Sequence, residues 1–290
     1  MIIDIHAHTS RHPMLNLHVE KADIADLHNQ AQRYGISKIY IMATYFPLKK
    51  TGLHNRELLE RIKGDDLFGC FGSLDLENDF SGGLQELRQL AEAGQIDGIK
   101  LYPGYQNVVI ADTQFRPLFQ LAQEFSLPVA CHLGELHHCC PREERQKQKL
   151  RCAAARCILE ERGHLATPSW LLSVAKLFPQ VKFIACHLAN PFFTDLRQVM
   201  ADLSNVYTDI SGQYISGGAK DTPQYRCTLV KEIRQFLELE GGKERVMFAT
   251  DFPIQSYQDT LELVKALELK PAEEELLLAR NARRLLPTRR

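Results

Sequence analysis

Eight short β-rich runs, each separated from the next by enough chain for a helix, recur along this sequence, and no other feature restricts its fold as tightly. They occupy residues 2–8 (IIDIHAH), 37–44 (SKIYIMAT), 66–74 (DLFGCFGSL), 97–103 (DGIKLYP), 126–132 (SLPVACH), 181–187 (VKFIACH), 205–211 (NVYTDIS) and 245–251 (RVMFATD). Amphipathic stretches between them predict helices over 17–35, closed by Gly35, and over 53–63, 82–93, 113–125 and 167–178. In the last of these Thr167 is a suitable N-cap and Pro168 takes the first helical position, where its missing donor costs little. Alternating β and α units predict a parallel sheet, and eight of them in 290 residues predict a (β/α)8 barrel. A doubly wound sheet is the rival, but no Gly-rich fingerprint supports a nucleotide site.

Residues 133–165 read as a charged, cysteine-bearing helical insertion after the fifth strand, and 271–287 as an extra C-terminal helix. Without sequence repeats, low-complexity stretches or linkers, residues 1–290 read as a single domain. Lys and Arg number 35 against 36 Asp and Glu, so the net charge of -1 offers no footprint for nucleic acid or an anionic membrane. The first strand starts at Ile2 with no basic segment and apolar run before it, and no apolar run approaches the ~18 residues of a membrane span. A cytoplasmic protein with its 8 cysteines reduced is the expectation. Cys139, Cys140, Cys152 and Cys157 cluster near His137 and His138 but lack paired CxxC spacing, so they read as packing thiols ahead of a structural zinc site.

In such a barrel, active sites gather at the C-terminal ends of the strands. Strand one ends in His6 and His8, strand four in Lys100, strand five in His132, strand six in His187 and strand eight in Asp251. Strict strand alternation places Asp4, His6 and His8 on one face, and casts Asp4 as a deeper supporting partner on the same inward stripe. Singly, His187 or Asp251 reads as a satisfied polar group; four histidines and a carboxylate on one rim read as a metal site. His12, His18, His28, His54 and His164 fall in predicted helices or loops and stay outside it.

Imidazole nitrogen and carboxylate oxygen suit zinc and related divalent ions, with bonds of roughly 2.0 to 2.2 Å for zinc. The His6 and His8 pair supplies two ligands from one strand; a third histidine and Asp251 would close the shell, leaving a position for water. A metal so held lowers the pKa of bound water from about 15.7 to about 7. Asp251 would then both touch the metal and accept a proton, and His187 would orient or protonate the substrate.

The ordered series DIHAH, GIKLYP, CHLGE, FIACHLAN, NVYTDISG, RVMFATDFP and NARRLL resembles the amidohydrolase superfamily, specifically its amidohydrolase-related (amidohydrolase 2) branch, from Asp4 to Leu286. The resemblance implies metal ligands at His6, His8, His132 and Asp251, with His187 as a catalytic or substrate-binding group beside them. It implies one divalent ion, for which three histidines and a carboxylate suit zinc first, with manganese, iron or cobalt as alternatives. In binuclear relatives a fourth-strand lysine is carbamylated and bridges two metals; Lys100 is expected instead to stay uncarbamylated and to bind a substrate carboxylate.

Tyr102, Glu135 and Asn190 join Lys100 as expected substrate-binding residues, with Tyr45, Tyr105 and Tyr214 as further rim candidates. His137, His138, Arg142 and Arg145 read either as a lid for anionic groups or as part of a solvated helical run. The leading function is hydrolysis of an amide, lactone or related ester in a small, anionic, carboxylated metabolite. Nonhydrolytic decarboxylation of an unsaturated or aromatic acid is the alternative. A TatD-type deoxyribonuclease ranks below both, because those enzymes carry a metal-binding glutamate where this chain has DGIKLYP; a noncatalytic binding protein would be expected to have lost ligands. A homodimer is an open expectation.

Overall fold

A computed structural model of the chain describes residues 1–11, 17, 22–45, 52–136 and 158–286. Eight parallel strands form one sheet in sequence order: β1 (Ile2–Ala7), β2 (Ile36–Met42), β3 (Phe68–Gly72), β4 (Gly98–Leu101), β5 (Val129–Cys131), β6 (Phe183–Ala185), β7 (Val206–Asp209) and β8 (Val246–Met247). The ring closes between β8 and β1, where Asp251 N–H donates to His6 O and His8 N–H to Phe252 O, each at 2.7 Å. The architecture is therefore the expected (β/α)8 barrel, with every observed strand inside a predicted run except β2, which begins one residue earlier, at Ile36.

Alternation along the strands separates two apolar layers. Ile39, Ile41, Ile99, Val129, Phe183, Val206 and Phe248 face outward and pack against the surrounding helices. Tyr40, Met42, Phe71, Ala130, Ile184, Met247 and Ala249 fill the lumen. At Gly98 a Cβ would lie 2.3 Å from the Phe71 ring, so the lumen admits that ring because β4 begins without a side chain. Ala279, Ala282, Leu285 and Leu286 of the C-terminal segment join the lumen cluster, and Asn281 Nδ2 donates to Val246 O at the start of β8. The segment thus plugs the end of the barrel opposite the strand C-termini. It is helical over Pro271–Glu275 and Asn281–Leu285, with a π turn at Leu276–Arg280 between.

Three local expectations are corrected. The first helix starts at Ile24 instead of residue 17, because Asp23 and Asp26 form a reciprocal capping box that fixes its N-terminus. The helix Ser169–Leu177 has Pro168 as its N-cap; the Thr167 hydroxyl instead donates to His164 O at 3.2 Å, closing the preceding turn.

Asp4 does not share a face with His6 and His8. The β1–β2 register shifts between Asp4 and Ala7, so Ile3 and Ile5 lie in the lumen, Asp4 and Ala7 face outward, and His6 returns inward beside Ile5. The outward Asp4 carboxyl accepts from Thr250 Oγ1 at 2.6 Å and from the backbone N–H groups of His6 and Thr250, with Tyr257 beside it. Burial pushes it up to about 7.

The insertion is described only from residue 158, as a short helix Ile158–Glu161 and a 3-10 turn Gly163–Ala166. His12, His18, His137, His138, Cys139, Cys140, Arg142, Arg145, Cys152 and Cys157 lie outside the described residues. No described helix is long and apolar enough to cross a membrane.

Candidate metal centre

The strand C-termini bring His6, His8, Lys100, His132, His187 and Asp251 into one connected group. His6 Nε2 lies 3.3 Å from His8 Nε2 and 3.5 Å from Asp251 Oδ1, and His8 Nε2 lies 3.1 Å from the same oxygen. Around a tetrahedral ion with bonds of roughly 2.0 to 2.2 Å, ligand atoms stand roughly 3.3 to 3.6 Å apart. The three atoms therefore have the spacing and chemistry of a ligand set, and they fit a divalent ion. His132 stands on the other side of His187, its Nδ1 3.1 Å from His187 Nε2 and its Nε2 3.2 Å from Glu135 O.

Two of these residues depend on unusual backbone. Asp251 has φ 58, and His187, Leu188 and Ala189 have φ 64, 52 and 52, all in the left-handed region that non-glycine residues rarely adopt. Such conformations persist where the surroundings over-determine them, and they concentrate at functional sites. At Gly212, φ 57, a Cβ would sit 2.6 Å from Asp251 Oδ2 and 2.8 Å from His187 Nδ1. The loop after β7 can approach both side chains because that residue is glycine.

Burial, reinforced by the Lys100 charge, pushes the His6 imidazole down to about 3, and burial also lowers His187. Both rings are thus neutral bases near pH 7, the form that ligates or accepts a proton. Burial alone would raise Asp251, but the hydrogen bond from His8 and the His187 and His6 rings outweigh it and hold the carboxyl well below the usual carboxylate range. Lys100, fully buried, donates to Cys186 Sγ at 3.1 Å, lies 3.3 Å from His6 Nε2 and stands 5.2 Å from the Tyr102 ring centroid. Cys186, which forms a second potential donor group with His6 and His187, is a thiol that burial pushes well above its ordinary range.

The other sequence-selected residues sit at graded distances from this centre. Tyr102 is buried with its ring centroid 6.4 Å from that of His8, and its hydroxyl donates to Ala43 O at 2.7 Å. Tyr105 packs edge-on against His132 at 4.8 Å. Asn190 and Glu135 line a small cleft with Leu133, His187, Gly212 and Gln213. The Asn190 carboxamide donates to Gln213 Oε1 and Tyr225 Oη, while the Glu135 carboxylate turns outward to Lys220 at the rim. Tyr45 donates to Glu86 and stacks on His54, and Tyr214 packs with Leu229 and Leu263; neither joins the ligand group.

Sequence reading passed over β7, which ends in no histidine. Yet Asp209 and Ser211, alternate residues of NVYTDIS on the lumen face, touch both His6 and His187. The available signal was that alternation: two polar residues spaced by two at the end of a buried strand, the same pattern His6 and His8 make in the first strand.

A (β/α)8 barrel with imidazole and carboxylate donors clustered at its strand C-termini defines the class of metal-dependent barrel enzymes. Within it, the chain belongs to the amidohydrolase family, whose model matches residues 3–288. Among solved structures it is similar to an amidohydrolase from Burkholderia multivorans with bound HEPES (14% identity, TM-score 0.70, 100% of each chain covered). It is also similar to a probable 2-pyrone-4,6-dicarboxylic acid hydrolase from Acinetobacter baumannii with citric acid bound (15%, 0.68, 99% of each chain). A third is a 5-carboxyvanillate decarboxylase from Novosphingobium aromaticivorans complexed with manganese and 4-hydroxy-3-methoxy-5-nitrobenzoic acid (17%, 0.63, 91% of this chain and 80% of that one). No curated protein sequence matches the chain.

Proposed function

We propose that this protein is a metal-dependent hydrolase acting on an amide, lactone or related ester bond of a small carboxylated metabolite. The observation that carries the reading is the mutual spacing of His6 Nε2, His8 Nε2 and Asp251 Oδ1, 3.1 to 3.5 Å, at the open end of an amidohydrolase barrel. These three residues, with His132 as the fourth, would hold one divalent ion. Zinc suits the donors, and manganese, present in the similar decarboxylase structure, is the first alternative. Once bound, the ion supplies Lewis acidity and brings the pKa of a coordinated water toward about 7.

The chain's own residues supply the rest. Asp251 Oδ1 faces the two β1 imidazoles, leaving Oδ2, on the Gly212 side, to take a proton from the attacking water. His187, kept neutral by burial, accepts that proton in turn from Asp251 on its free ring nitrogen and, as the imidazolium so formed, passes it to the leaving group. Asn190, Glu135 and Gln213 line the substrate's approach beside His187, and Tyr102 forms the wall beside His8. Lys100 provides a buried positive charge for a substrate carboxylate, in preference to a carbamylated bridge between two ions.

The same donor set serves nonhydrolytic decarboxylation, and product analysis separates the two. Turnover of a panel of lactones and aromatic acids in 18O-labelled water is expected to place one labelled oxygen in an acid product. Carbon dioxide release without label incorporation would overturn hydrolysis.

A further inference from the structure

This inference rests on the metal-centre reading above and concerns what holds its histidines. Asp209 is fully buried, and its Oδ1 accepts from His187 N–H at 3.0 Å, from Ser211 N–H at 3.1 Å and from the Ser211 hydroxyl; its Oδ2 lies 3.4 Å from His6 Nδ1. A carboxylate accepts hydrogen bonds and donates none, so the single Ser211 hydroxyl proton is directed at Asp209. The hydroxyl oxygen is then left as an acceptor, and two imidazole nitrogens face it: His187 Nδ1 at 2.9 Å and His6 Nδ1 at 3.2 Å. His187 Nδ1 also faces Ser211 O at 3.2 Å, a second group that can only accept.

Each Nδ1 must therefore carry its ring's proton, and each lone pair falls on Nε2. We propose that Asp209 and Ser211 are paired positioning residues that hold His6 and His187, from β1 and the end of β6, in the same Nδ1–H tautomer. One carboxylate thereby orients a metal ligand and the acid–base histidine together. His6 Nε2 is presented to the space it shares with His8 and Asp251, and His187 Nε2 is turned toward His132. This is the hydrogen-bonded support that metal-ligating histidines commonly need on their second nitrogen, here shared between two rings.

Histidine-selective 15N labelling of the full-length protein reads the tautomers, and zinc titration reads the affinity. Wild-type protein is expected to show Nδ1–H forms of His6 and His187 before zinc is added. Asp209→Asn exchanges an acceptor oxygen for an amide donor, and is expected to shift at least one ring away from that form and weaken zinc binding roughly 10- to 100-fold. Ser211→Ala removes the hydroxyl but leaves the backbone carbonyl that faces His187 Nδ1, and is expected to shift His6, whose nearest acceptor it takes away; Ser211→Thr restores it. The tautomers decide the matter: an Nε2–H form of either ring in the wild type, or unchanged tautomers in both variants, overturns the proposal whatever the zinc affinity. Wild-type protein that binds no divalent ion overturns the metal-centre reading, while the metal-free spectra still judge the tautomer assignment.

Discussion

Asp251 sits where sequence, backbone and charge constrain one another most tightly. It ends the β8 run, takes a left-handed backbone, and points one oxygen at two imidazoles and the other at Gly212. His6→Ala or Asp251→Asn is expected to lose both bound metal and activity. His187→Ala should keep the metal while turnover falls at least ~100-fold, the usual scale of an acid–base group. Metal analysis beside steady-state kinetics checks the pair; full activity in His187→Ala contradicts its role. Gly212→Ala is expected to impair turnover more than stability, because its methyl would press on Asp251 Oδ2 and His187 Nδ1; comparing kcat with the melting temperature tests this.

Asp4 carries a pH signature of its own. Its carboxyl is raised from 3.8 to about 7 by burial, so the folded state favours the protonated form. That contribution is fully present below the unfolded value and is lost as pH rises through about 7. At about 1.4 kcal/mol per unit it amounts to a few kcal/mol. Asp4→Asn is therefore expected to flatten the fall in stability between pH 4 and pH 8 relative to wild type, read from urea midpoints at each pH. Parallel pH profiles would contradict it.

At the scale of elements, the order of strands was legible because each run is apolar, short and followed by an amphipathic stretch, and the barrel requires nothing subtler. The side of each strand that a residue faces was legible wherever alternation is unbroken. It failed in β1, where the register shift turns Asp4 outward while His6 stays inside. A bulge leaves no mark in residue type, so Asp4 looked like a neighbour of the histidines. The clustering of His6, His8 and Asp251 was legible because strand ends are where such a barrel keeps its chemistry. Asp209 and Ser211 were not, because their role exists only across strands, in the contacts that β7 makes with β1 and with the end of β6. Gly98 is a second case of meaning acquired through packing: Gly98→Ala drives a methyl into the Phe71 ring. It is expected to cost about 1 to 3 kcal/mol by denaturant unfolding, relieved in part by Phe71→Leu; an unchanged midpoint would contradict the close approach.

At the scale of the whole molecule, the candidate metal centre and the C-terminal segment lie at opposite ends of the barrel, with the apolar lumen between them. Apolar side chains fill the lumen, the C-terminal segment closes the end opposite the strand C-termini, and the donors lie at the strand C-termini. Chelation is therefore expected to abolish activity without global unfolding, whereas loss of the C-terminal plug would open the core; circular dichroism before and after chelation distinguishes a local from a global change. On the proposed function, activity depends on an ion held by His6, His8, His132 and Asp251. Metal content and turnover measured on the same samples during stepwise chelation and zinc reloading test it most directly. Activity is expected to rise in proportion to occupancy up to one ion per chain, and full turnover in metal-free protein would contradict the proposed metal dependence.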